Sequence, residues 1–270
     1  MAEHSGPTGE RYDLGRLTPS SMVLCGSGIR RSAAGAETLE TAAGAIIEYL
    51  QASLWDSASD QPASVLIRLY RTVSFARLEP DLQRFARLAL ESRKPWPEMR
   101  CLTLMATAGV RPEWNSRHES TAHRAIPLPS AEAVARLPMV SRLVSQLGVD
   151  AKDLVGPGRE AIIENEGRPS TNVFHVADAV GSRFVPAQEE FVKPMNVRSV
   201  VGFGGQLGVG DLYAVIVFSR VLVNRATADI LGFLGSDVRM AIVPTLARPL
   251  FKSEVAERPP LSKRVLRVRG

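Results

Sequence analysis

Gly202, Gly204, Gly205, Gly208 and Gly210 fall within nine residues, a density that invites a phosphate-cradling loop. Such a loop must open a helix so that the phosphate meets its first N–H groups, whereas these glycines run into the apolar stretch from Leu212, and no Gly-Lys-Ser/Thr occurs. They read instead as a hairpin with close backbone packing, and Gly210-Asp211 as turn chemistry. His118 and His123 bracket Glu119, one residue too far apart for a zinc-protease helix. A spacing of five sets two helical side chains roughly 140° apart, where a spacing of four leaves about 40°. As loop residues they could still converge, but exposed polar histidines are the plainer reading. His175 stands between Phe174 and Val176 in a predicted strand, facing away from both, where it could ligate haem or a metal ion, hydrogen-bond a ligand, or serve structure alone.

The remaining chemistry-bearing residues form no catalytic pattern. Ser199 and Ser219 lack a Gly-x-Ser-x-Gly elbow. Glu160, Glu164 and Glu166 share at most a short polar helix, and the adjacent Glu189 and Glu190 point different ways, so neither set forms an acid and base held on one substrate. Cys25 and Cys101 are the only cysteines, too few for a structural zinc or a disulfide framework and suited to a reducing compartment. The expectation is a chain with no catalytic residues and no metal site.

The elements that must position these residues follow from periodicity. Leu39, Ala42, Ala43, Ile46, Ile47, Leu50 and Leu54 recur at three and four and predict an amphipathic helix over 37–55. Ala63 to Thr72, broken by Arg68 and Arg71, predicts a strand with one wet face; Leu78 to Leu90 predicts a helix and Met99 to Gly109 a second strand. A loop follows through Trp114 and Pro127, then a helical pattern from Ser130 to Leu147 that Pro138 must kink or restart. After the Gly156-Pro157-Gly158 turn, 159–165 reads as a short helix and 171–178 as a strand. Phe184-Val185-Pro186, Phe191-Val192, Val197 to Gly205 and Asp211 to Val221 read as extended segments, the last two a hairpin. Arg225 to Val243 predicts a closing helix that lies back beside the first.

Hydrophobic residues make up 45% and charged residues 23% of 270, the balance of a globular chain rather than a disordered or fibrous one. The longest uncharged stretches, Leu17 to Ile29 and Ser199 to Gly210, are shorter than the roughly 20 apolar residues of a spanning helix. With no basic region and apolar run at the start, the expected location is the cytoplasm. The formal charge of +5 equals the excess of seven Lys/Arg over two Asp/Glu from Arg248 onward. The body is therefore balanced. The tail, with Lys263, Arg264, Arg267 and Arg269, lacks the interleaved aromatics of a nucleic-acid binder and reads as a linker. The expected organisation is a flexible leader over 1–35 with room for one docked strand, one domain over 36–247 and a basic Pro-containing tail over 248–270; two domains cut near 155 are the alternative.

The pattern Arg198-Ser199-Val200-Val201-Gly202-Phe203-Gly204-Gly205, then Asp211 to Arg220, then a closing helix from Thr227, resembles a GAF-type sensor domain. Asn172 to Val176 and Phe184 to Phe191 are similar to the sensory modules that precede bacterial histidine kinases and other signalling outputs. The resemblance covers about residues 36–247. It implies an α/β (α+β) sandwich around a mainly antiparallel sheet of about six strands, helices that pair between two protomers, and a pocket on the sheet face away from them. It implies no catalysis, and a signalling output carried elsewhere, because no transmitter domain follows 247.

The pocket expected on this basis is lined by Phe174, His175, Val176, Phe184, Phe191, Arg198, Phe203 and Tyr213, with plain core packing as the alternative for most of them. The leading functional expectation is a non-catalytic sensory or regulatory domain of bacterial signal transduction that binds a small ligand. Its partners would be a second copy, through the helices at 37–55 and 225–243, and a kinase or phosphatase; neither membrane nor nucleic acid is expected. An interaction scaffold with a vestigial pocket is the alternative, followed by a thiol enzyme or a haem sensor. No cofactor is required.

Overall fold

The computed structural model describes residues 10–90, 93–155, 173–208 and 211–256. Six strands build its main sheet: β1 Ser64–Ser74, β2 Arg100–Gly109, β3 Ala125–Pro127, β4 Val173–Val176, β5 Ser199–Gly208 and β6 Asp211–Ser219. Their spatial order is β3-β2-β1-β6-β5-β4 and every neighbouring pair is antiparallel. The first three strands spread outward from the centre and the last three return to it, so β1 and β6 pair in the middle. This α+β sheet, with helices on both faces, is the arrangement that the GAF resemblance implies. A small second sheet joins Tyr12–Asp13, Leu54–Asp56 and Gln61–Pro62.

Two cores separate the faces. The first lies under α1 Pro19–Ser32, α2 Leu39–Ser53, α3 Pro80–Ala89, α7 Arg225–Gly232 and α8 Leu234–Ile242. The second lies under α4 Ala131–Ala135, α5 Pro138–Gln146 and α6 Ala151–Val155. The predicted helix over 37–55 is α2, begun by the Thr38 hydroxyl accepting from Thr41 N–H and buried along Leu39, Ala42, Ala43, Ile46, Ile47 and Leu50. Pro138 restarts the helical pattern of 130–147 as α5, because it fits the first turn of a helix but not the interior. The closing helix is likewise two pieces, α7 and α8, meeting at Phe233.

Three expectations are corrected. Within the segment read as a flexible leader, Pro19–Ser32 is a helix capped by Thr18 and packed outside α2 and α8, with Cys25, Gly26, Gly28 and Ile29 buried. Its small buried residues carry no hydrophobic periodicity, which is why it reads as a loop. Phe184-Val185-Pro186 and Phe191-Val192 are not extended. They belong to a loop wound around Gln188, whose amide accepts from Gly181 N–H at 2.8 Å and donates to the carbonyls of Ala179 and Val185 at 3.0 and 2.8 Å. With Ala187 in the left-handed region (φ 58°), residues Gln188–Val192 coil as a π-helical turn. Finally, Ala125–Pro127, inside a predicted loop, adds β3 to the sheet edge.

Within the segment read as a tail, Leu250 and Phe251 are buried, and α9 Lys252–Ala256 follows them. Lys263, Arg264, Arg267 and Arg269 lie outside the described residues, as do Glu160, Glu164 and Glu166, the turn at 156–158, the helix expected over 159–165, and Gly210. No helix among the described residues is long and apolar enough to cross a membrane.

Candidate functional site

The sheet divides the eight expected pocket residues between its two faces. Phe174 and Val176, alternating along β4, turn to the second core, where Phe184 and Phe191 join them half-buried. Phe203 and Tyr213 are fully buried in the first core. The Tyr213 hydroxyl donates to the Gly235 carbonyl of α8 at 2.7 Å. His175 alternates with Phe174 onto that same first face, where its Nε2 donates to the Val223 carbonyl at 2.7 Å. That nitrogen is committed to the backbone and not to a ligand. Arg198 is exposed ahead of β5. The eight therefore form no single site.

The second face carries a polar cluster that the sequence reading missed. Arg68 and Arg71 were expected to mark one wet face of β1. Three residues apart on a regular strand, they point to opposite faces, and neither face is wet. Arg68 is half-buried on the second face; its guanidinium donates to the Tyr70 hydroxyl at 3.3 Å and to the Ser120 hydroxyl at 3.2 Å. It makes no ion pair among the described residues, and its Nε is buried without a partner. Directly across the strand pair stands Thr107, 6% exposed, whose hydroxyl oxygen is also buried and unpartnered. Two orphaned polar groups side by side on one face are unusual in a native interior.

An aromatic row borders this cluster. On β6, Ile216 lies opposite Arg68 and Phe218 opposite Leu66, one row along the same face. Phe191 meets Phe218 edge-on at 5.2 Å between centroids and Trp114 at 5.6 Å. Gly109 makes room for this row, since a Cβ there would stand 2.9 Å from the Trp114 ring. Arg142 lies over the Phe184 ring at 4.2 Å. The face thus offers a cation with hydroxyl partners only beside a row of aromatic edges, a combination that suits a small ligand with an apolar body and an acceptor group.

His118 and His123 lie on the loop between β2 and β3, not on a helix. His118 is exposed, 3.8 Å from the Glu40 carboxylate. His123 has a left-handed backbone (φ 59°) beside the cluster. Its ring, desolvated by the loop although the residue keeps an exposed edge, and facing the Arg68 charge, titrates below the ordinary histidine value. Among the described residues no group of three His, Cys, Asp or Glu could hold a metal ion. Burial pushes both thiols, Cys25 and Cys101, up to about 12, which leaves neither as a ready nucleophile. Gly202, Gly204 and Gly205 lie within β5 and open no helix.

No family model matches the chain, and no curated protein matches it. Among solved structures it is similar to the phycoerythrobilin-bound GAF domain from a cyanobacterial phytochrome, with 11% sequence identity and a TM-score of 0.41; the match covers 85% of this chain and 97% of that one.

Proposed function

We propose that this chain is a non-catalytic sensory or regulatory domain that binds a small ligand on the second face of its sheet. The observation that carries the reading is Arg68, a half-buried cation paired only with hydroxyls, with an orphaned Nε and an orphaned Thr107 hydroxyl beside it. A ligand carboxylate, carbonyl or phosphate would satisfy groups that are unfavourable to leave unpaired, while Phe191, Phe218 and Trp114 supply apolar contact.

Coupling to an output would run through dimerisation, as in the bacterial signalling modules that the sequence resembles, with a kinase or phosphatase as the downstream partner. A ligand changes such an output only if it binds one dimer arrangement more tightly than the other. Support for a dimer comes from the outermost helices. Val23 and Leu24 of α1, with Phe233, Met240 and Val243 at the α8 end, leave large apolar side chains exposed. The proposed dimer face uses α1 in place of the expected helix over 37–55, because α2 is buried between the sheet and α1.

Trp114 makes the ligand reading measurable. The tryptophan emission that Trp114 shares with Trp55 and Trp96 should change saturably when a binding compound from a panel of small aromatic acids is added. The change should be lost in Trp114→Phe, and the apparent affinity should weaken at least about tenfold in Arg68→Gln, the range for a lost charge-assisted hydrogen bond. Silence across the panel, with no extra mass on the freshly purified protein under native conditions, would remove the ligand half of the proposal.

A further inference from the structure

At the end of the sheet where β1 runs into the turn Phe75–Arg77, the chain encloses a cleft of about 420 Å³, within the range of small-ligand sites. It is distinct from the Arg68 cluster, because Arg71 points to the other face of β1. Three arginines line it, Arg71, Arg77 and Arg100, together with the carboxylates of Glu98 and Asp211. Asp211 is shared between two of the arginines. The Arg71 Nη2 donates to its Oδ2 at 3.3 Å, and Arg100 donates to its Oδ1.

Arg71 is the unusual member. Its side chain is only 8% exposed, and both Nε and Nη1 are buried without a hydrogen-bond partner. A buried guanidinium normally has its whole donor fork engaged, since an orphaned N–H there loses its water without replacement. One oxygen of one shared carboxylate leaves that fork unfilled. Among the described residues that line it, the cleft carries three arginines and two acidic residues.

We propose that this cleft is an oxyanion site, taking the carboxylate or phosphate group of a small molecule between Arg71 and Arg100, with Arg77 at the mouth. Planar guanidinium forks match both groups with paired hydrogen bonds. A bound oxyanion would share with Asp211 the guanidinium edges of Arg71 and Arg100 that line the cleft, and offset the positive charge that Arg77 adds at its mouth. Asp211 already holds part of that position, so an entering anion competes with the first residue of β6 for the same two arginines. This inference stands apart from the ligand reading at Arg68 and needs no dimer.

The test is thermal unfolding of the full chain titrated with inorganic phosphate and, separately, with succinate, each against sodium chloride at matched ionic strength. A saturable rise in Tm with either oxyanion and none with chloride is expected, and which of the two acts identifies the group. The apparent affinity should fall at least about tenfold in Arg71→Gln, as expected for the loss of charged hydrogen bonds. Because Arg71 is buried, Arg77→Gln provides an exposed variant that should fold as the parent does and still bind several-fold more weakly, while Arg225→Gln, in a surface ion pair with Asp229, should bind unchanged. No saturable response to either oxyanion overturns the proposal. So does a response that survives in both Arg71→Gln and Arg77→Gln, or one lost in Arg68→Gln but kept in Arg71→Gln.

Discussion

Arg117 and Glu40, 77 residues apart in sequence, meet at 2.6 Å with their side chains 4% and 9% exposed. The pair is the centre of a larger clasp. Arg117 also holds Glu79 at 2.6 Å, and its guanidinium lies 4.9 Å over the Phe251 ring. Glu40 accepts the Lys252 backbone N–H at 2.8 Å, and the backbone N–H groups of Leu39 and Glu40 donate to Pro249 and Leu250. One arginine thus fastens the segment after residue 248 to the start of α2. Arg117→Met would strand two carboxylates in a poorly hydrated site, a change worth about 3–5 kcal/mol when one partner of a buried pair is removed. The expected outcome is a lower urea midpoint together with faster hydrogen exchange at Lys252 and its neighbours. An unchanged midpoint would mean that the clasp is incidental.

The same clasp sets a pH dependence. Burial alone would raise the Glu40 carboxyl, but Arg117 and the Lys252 N–H outweigh it and hold the group below the ordinary 4.5. A carboxylate depressed in the folded state contributes stability that is fully present above its unfolded value and lost as pH falls through the folded one. Denaturant midpoints should therefore be insensitive to this group from pH 7 to 6 and decline below about pH 4.5. Glu40→Gln should flatten that decline while lowering the plateau at neutral pH. A parallel decline in wild type and variant would exclude Glu40 as its source.

Two glycines should respond in opposite directions to the same substitution. A Cβ at Gly204 would collide with the Tyr213 carbonyl oxygen and stand 2.9 Å from the Ala214 Cα, both main-chain atoms of the paired strand β6 that cannot rotate away. Gly204→Ala should destabilise by about 1–3 kcal/mol through this overpacking, read from urea unfolding. Gly44, inside α2, has nothing within 4 Å of the added carbon. Gly44→Ala should stabilise by about 0.5–1 kcal/mol, the helix-propensity difference.

The glycines also show which parts of the fold could be read beforehand. Strands β1 and β6 were legible because Val65, Ile67 and Leu69, or Val215, Ile216 and Val217, announce burial by type. α2 was legible for the same reason at helical spacing. α1 was not, because Gly26 and Gly28 contribute closeness rather than hydrophobic area: a Cβ on either would run into Asp237 or Tyr49. In the candidate site the aromatic types are plain in the sequence, but only the register shows that Phe174 and Phe203 lie on opposite faces. Thr107 carries no signal in the sequence at all. Its meaning arises only when β1 pairs with β2 and sets it opposite Arg68.

Neither cysteine should behave as a reactive thiol. Cys25 and Cys101 are both fully inaccessible, and burial keeps each protonated at neutral pH. Native protein mixed with a disulfide reagent at pH 8 should show no rapid release, and two thiols should react once urea unfolds the chain. Fast stoichiometric labelling of the folded protein would revive the thiol-enzyme reading, and Cys101→Ser would then locate it.

The dimer reading rests on a surface whose removal should leave the fold intact. Positions 233, 236, 240 and 243 share one side of the closing helices, and three of them, Phe233, Met240 and Val243, are apolar and 64%, 53% and 45% exposed. α1 lies against α8, fixed by the ion pair between Arg30 and Asp237, and adds Val23 and Leu24 at 61% and 50%. Five large apolar side chains on neighbouring outer helices are a surface that association would cover. Sedimentation equilibrium should give twice the chain mass at micromolar concentration. Phe233→Glu with Met240→Glu should return the protein to monomer with a urea midpoint nearly unchanged, because exposed substitutions shift stability by only about 0.5 kcal/mol. Two carboxylates facing their own copies across a twofold axis repel as well as remove apolar area, so the effect on association should far exceed that on folding. A wild-type chain that is monomeric at every concentration would sink the dimer and leave the Arg68 ligand site to stand or fall alone.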